Sequence, residues 1–96
     1  MPIDFSSVRN LNERAVHAAV QAHAERYPGI ADDQELLADV ACVALNRLPP
    51  RYIRHQVDYV FYLSDSEREA SSKALAEAVD DAFGFVQART AMRARG

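Results

Sequence analysis

The chain is poor in the residues that build disulfides, metal centres and phosphate loops. Its one cysteine, Cys42, permits no intrachain disulfide and no four-cysteine zinc site. With three glycines, Gly29, Gly84 and Gly96, it has no glycine-rich loop of the kind that cradles a nucleotide pyrophosphate. Its three histidines, His17, His23 and His55, form no HExxH and no i, i+4 pair, so no helical metal site is expected. There is no CxxC and no Ser-His-Asp arrangement, and Asp80-Asp81 are adjacent on a helix and do not face one another. An enzyme, a metal and a cofactor are therefore not expected. No apolar run is long enough to span a membrane, and Met1-Pro2-Ile3-Asp4-Phe5 has neither the basic start nor the apolar stretch of a signal peptide. The expected location is the cytoplasm. Lysine is scarcest among the basic residues: of 11, only Lys73 is lysine and ten are arginines, the side chain suited to planar, bidentate or stacked recognition.

What is present is ordinary globular composition. The 96 residues are 49% apolar and 26% charged, which fits one domain and argues against disorder. A core this small is thin, and dimerisation is a common remedy. The formal net charge of −3 argues against general binding of DNA or anionic lipid.

Few breakers divide the chain. Asn10-Leu11-Asn12-Glu13 has the form of a capping box, with Asn10 as N-cap, and predicts a helix from about Asn10 to Tyr27 with Val16, Val20 and His23 on one face. Tyr27-Pro28-Gly29 is expected to end it, with Gly29 tolerating a positive φ. Asp32 and Asp33 suit the start of a second helix over Gln34 to Leu48, whose wide apolar stripe places it centrally, with Cys42 buried and inert; Pro49-Pro50 stops it. The stretch Arg51 to Leu63 alternates like a strand and is also spaced like a helix. A short helix over His55 to Tyr62 is favoured, because a lone strand would have no partner elsewhere in the monomer. Ser64-Asp65-Ser66-Glu67 is a second capping box, opening a long helix to about Met92 with the stripe Leu75, Ala78, Val79, Ala82, Phe83 and Val86. The fold expected is mainly α: three main helices plus one short helix or extended segment, with the long last helix partly uncovered and a homodimer built on it. The layout is an N-terminal extension over 1–9, one helical domain over 10–88 and a basic tail over 89–96.

The most unusual run is Leu45-Asn46-Arg47-Leu48-Pro49-Pro50-Arg51-Tyr52-Ile53-Arg54-His55. No acidic residue lies between Asp39 and Asp58, so Arg47, Arg51 and Arg54 have no sequence-local neutralisation. A rigid double proline loses little entropy on binding, and three guanidiniums beside Asn46, Tyr52 and His55 suit phosphates and a planar base. The structural alternative is that Arg47 satisfies the helix C-terminus and Arg51 pairs with Asp39 or Asp58.

The pattern Leu-Asn-x-Leu-Pro-Pro-x-Tyr over Leu45 to Tyr52, with Asp39 upstream, resembles the ComFB family, the late-competence-development proteins. Asn10-x-x-Glu13 followed by Val16 is similar to that family's opening helix, and Tyr27-Pro28-Gly29 to its turn. The resemblance covers roughly Asn10 to Val86. It implies a small, mainly helical homodimer without known enzyme activity. Some relatives bind zinc through a cysteine cluster; this sequence has no cysteine between Pro28 and Asp39, so zinc is not carried over. Relatives in photosynthetic bacteria act as receptors for cyclic dinucleotides. What the resemblance implies here is a cyclic di-GMP or cyclic di-AMP receptor that signals to a downstream regulatory protein. Its ligand contacts would come from Asp39, Asn46, Arg47, Arg51, Tyr52, Arg54 and His55, with Asp39 or Asp58 accepting from the guanine N1 and N2 donors. The other reading is a ligand-free dimeric adaptor in competence, motility or biofilm regulation.

Overall fold

A computed structural model describes residues 3–55, 57 and 63–95. A two-residue strand β1 (Arg9–Asn10) leads into helix α1 (Asn12–His23), a 3-10 turn (Ala24–Arg26) and a one-turn helix α2 (Pro28–Ala31). Helix α3 (Gln34–Arg47), strand β2 (Tyr52–Ile53) and the 31-residue helix α4 (Asp65–Arg95) follow. The expected short helix over His55 to Tyr62 lies, apart from His55 and Val57, outside the described residues.

Helix α3 starts as its sequence suggests. The Asp33 carboxylate accepts from the Glu35 and Leu36 amides at 3.0 and 3.1 Å, which satisfies two otherwise unpaired N–H groups. Val40, Ala41 and Ala44 point inward between α1 and α4, so the helix is central. Cys42, expected to be buried, is exposed: two residues on from Val40 it is turned about 200° away from the core-facing side. At the start of α4 the Ser64 hydroxyl accepts from the Glu67 amide at 3.2 Å and donates to Glu67 Oε1 at 3.1 Å, a variant of the capping box.

The first turn differs from expectation. Helix α1 begins at Asn12 with Leu11 in the N-cap position and no side-chain cap. Asn10 is extended instead, because it pairs with Tyr52 in an antiparallel ladder whose register also sets Arg9 opposite Ile53. The strand after the double proline therefore has a partner within the monomer, supplied by residues just ahead of α1. The Tyr27 turn differs too. The α-helix ends at His23, Pro28 occupies the first turn of α2, and Gly29 has no positive φ. Pro28 is suited to that place, where its missing N–H would be unpaired anyway.

The core is one cluster. Val16 and Val20 of α1, Ile30 of α2, Val40 and Ala44 of α3, and Val79, Ala82, Phe83 and Val86 of α4 meet there. The Phe83 ring is fully buried and stacks on Tyr27 at 4.4 Å between centroids and 4° between planes. The stripe expected on α4 is therefore the one that packs, with Leu75 at its partly buried edge. Most of the first turns of α4, Asp65 to Ala74, remain exposed. The radius of gyration is 15.6 Å, against about 12–13 Å for a compact domain of this length. Among the described residues no helix is long and apolar enough to cross a membrane.

Candidate functional site

Two segments far apart in sequence are clipped together by hydrogen bonds. Asn10 Oδ1 accepts from the amide of Asn12 at 3.2 Å and from the amide of Arg51 at 3.1 Å. The Leu11 amide donates to the Arg51 carbonyl at 2.7 Å, and Asn12 Nδ2 donates to the Pro49 carbonyl at 2.9 Å. The residues at the head of α1 and those around the double proline thus form one unit. Neither proline has an N–H to offer, so the carbonyl of Pro49 and the backbone of Arg51 carry the contact.

The eight residues singled out from the sequence fall into different settings. Asp39 is engaged by α4: Arg89 Nη2 lies 2.7 Å from its Oδ2, so Asp39 is held by Arg89 and not by Arg51. Asn46, exposed on α3, donates to Cys42 Sγ at 3.7 Å. Arg47 reaches Asp81 of α4 at 3.9 Å. It is therefore not unopposed; the acid that faces it comes from the far end of the sequence. Arg51 is half-buried, while Tyr52, Arg54 and His55 are exposed, Tyr52 by 67%. Asp58 lies outside the described residues.

Two clefts flank the clip. The first, of about 550 Å3, lies between the head of α1, Leu48, Pro49 and Arg51, and the first turns of α4 from Glu67 to Leu75. It is largely apolar, with Arg14 and Arg51 among its polar groups. The second, of about 520 Å3, is bounded by Ser7, Arg9, Asn10, Glu13, Arg14 and His17 on one side and by Ile53 and Arg54 on the other. The clefts share Leu11 and Arg14. Among the described residues the ion pairs are His23–Asp80, Arg47–Asp81, Arg68–Asp65 and Arg89–Asp39. Arg9, Arg14, Arg51 and Arg54 are in none of them.

The sequence reading missed Arg9, Arg14 and His17. Arg14 and His17 are three apart on α1, which sets them on one exposed face. Arg9 and Arg54 line the second cleft from the two sides of the β1–β2 pair, a pairing that no local pattern announces. His23 lies on another side of α1, half-buried, with Nδ1 3.3 Å from Asp80 Oδ1 but not aligned for a hydrogen bond. Among the described residues no three His, Cys, Asp or Glu side chains converge as a metal site. Outside the clefts, the Asp4 carboxyl is held below the usual aspartate range by the Ser6 amide, which donates to it at 2.8 Å, and by the Ser6 hydroxyl.

The match to known families covers this whole unit. The model of the late competence development protein ComFB matches residues 9–90. The chain belongs to the ComFB family. The matched span begins at Arg9, the first residue of β1, and ends one residue beyond Arg89, the partner of Asp39. It therefore takes in both halves of the asparagine clip and the Leu45-to-Tyr52 pattern of this ComFB chain. No curated protein matches the chain.

Proposed function

We propose that this ComFB-family protein is a non-enzymatic receptor for a cyclic dinucleotide, cyclic di-GMP or cyclic di-AMP, acting in the cytoplasm. The observation that carries this reading is the set of arginines without a carboxylate partner among the described residues, gathered around two adjacent clefts. Each cleft lies within the range of small-molecule sites, about 300–1,000 Å3. A cyclic dinucleotide has two phosphates and two flat bases; guanidinium binds phosphate as a fork and stacks on a base or pairs with the guanine O6/N7 edge. Arg51, Tyr52 and Arg54 make the direct contacts in this reading, with His55 and Asp58 beside them. Asp39 and Arg47, each engaged by α4, and Asn46 hold the frame. The protein acts as a homodimer, which covers the exposed first turns of α4 and matches the two-fold symmetry of the ligand, and it passes the signal to a downstream regulatory protein.

Calorimetry with each cyclic dinucleotide tests the reading. Binding is expected, and Arg51→Ala should weaken it by about 1.5–3 kcal/mol, the range for hydrogen bonds to charged groups. No binding of either ligand at high micromolar concentration rejects it. One observation favours a ligand-free adaptor instead: Phe85 and Met92, seven residues apart on α4, are 48% and 72% exposed. In that case Arg51→Ala lowers thermal stability and no nucleotide alters the melting curve.

A further inference from the structure

We propose that Arg9, Arg14 and Arg54, with His17, form a phosphate subsite in the second cleft, and that the first cleft takes the adjoining base. The ligand class is a nucleoside phosphodiester or phosphomonoester. This rests on the receptor reading above and extends it to residues at the head of the chain.

Arg9 lines the second cleft from the β1 side and Arg54, just past β2, from the other. Helix α1 then brings Arg14 and His17 to the same cleft, one turn apart. None of the three guanidiniums has a carboxylate within 4.0 Å among the described residues. Like charges lining one concave surface raise the local concentration of anions. The backbone beneath them is fixed by the Asn10 and Asn12 hydrogen bonds, so little ordering is lost when an anion enters.

The neighbouring cleft decides what the anion is attached to. Arg14 and Leu11 belong to both walls. Past them the lining is mainly apolar, with Ala15, Leu48, Pro49 and Leu75, and its one carboxylate among the described residues is Glu67. A phosphate at Arg14 therefore stands beside a slot that suits a flat heterocycle and sugar better than a second anion. Glu13 lines the second cleft as well. It repels phosphate, so its removal should act in the opposite sense to removal of the arginines.

The test is calorimetry at fixed ionic strength with cyclic di-GMP, GMP and guanosine. Arg9→Ala and Arg14→Ala should each weaken cyclic di-GMP and GMP tenfold or more and leave guanosine unchanged; Glu13→Gln should tighten both phosphorylated ligands at least threefold. These side chains are exposed, so the variants should melt as the wild type does. If Arg51→Ala abolishes cyclic di-GMP binding while Arg9→Ala and Arg14→Ala do not change it, the subsite is overturned and the receptor reading stands. If no cyclic dinucleotide binds but GMP binds in an Arg14-dependent way, the receptor reading fails and the subsite stands. If no phosphorylated ligand binds, both fail.

Discussion

Replacing Asn10 by alanine tests the clip that holds the site together. Asn10 Oδ1 is the acceptor for two backbone amides, those of Asn12 and Arg51, at 3.2 and 3.1 Å. Each such bond is worth about 0.5–1.5 kcal/mol net. The position is half-buried, so water reaches part of what alanine exposes, and the expected loss is about 1–2 kcal/mol. At about 4–8 °C per kcal/mol for a domain of this size, the melting temperature should fall by about 4–16 °C. Asn10→Asp retains the acceptor oxygen and should stay within about 0.5 kcal/mol of wild type. Amide hydrogen exchange locates the effect: Arg51, 41 residues away in sequence, should exchange faster in Asn10→Ala. Equal destabilisation by alanine and aspartate would refute the reasoning, since the acceptor would then not be the operative group. So would faster exchange at Glu13 with none at Arg51, which is the signature of a helix cap.

Other consequences are direct. Phe83→Ala should cost about 3–5 kcal/mol, because the ring is fully buried and stacked on Tyr27, and urea unfolding will show it. Gly84→Ala should gain about 0.5–1 kcal/mol, since a Cβ there meets nothing within 4 Å and glycine weakens a helix interior. A loss that grows with protein concentration would instead reveal another surface packed on that face. Asp39→Asn should cost about 1 kcal/mol by weakening the 2.7 Å contact with Arg89 while leaving nucleotide affinity unchanged. A change in affinity without a change in stability would make Asp39 a ligand contact.

The helices were legible where one rule dominates. The stripe on α4 and the Asp33 cap follow from spacing and from the four unpaired amides at a helix start. Helix α2 was not legible, because four residues cannot show a period, yet Ile30 within it is a core residue. The Asn10-to-Glu13 pattern was misleading for a physical reason. An asparagine ahead of a helix serves equally as a cap or as a bridge to a distant amide. Here the Asn10 oxygen does both, accepting from Asn12 at the start of α1 and from Arg51, whose carbonyl in turn accepts from Leu11, and the strand pairing leaves Leu11 in the N-cap position. The pairing of Tyr52 and Ile53 was missed with it, since the partner strand is only two residues long and its β-character comes from this contact.

The same logic governs the arginines. A stretch without acids in sequence is not a surface without acids. Arg47 meets Asp81, 34 positions later, because α3 and α4 pack side by side. Arg51 and Arg54 are in no ion pair among the described residues, although Glu67 lines the first cleft and Glu13 the second; the strand pair sets them beside the head of α1, with Arg9 and Arg14. The positive character of the site is therefore a property of the β1–β2 contact and not of the Arg47-to-Arg54 run alone. A substitution that breaks the clip, such as Asn10→Ala, should separate the two groups of arginines and lower phosphate affinity without removing any charge. Loss of affinity through Asn10→Ala, with Arg9, Arg14, Arg51 and Arg54 all in place, would separate positioning from charge.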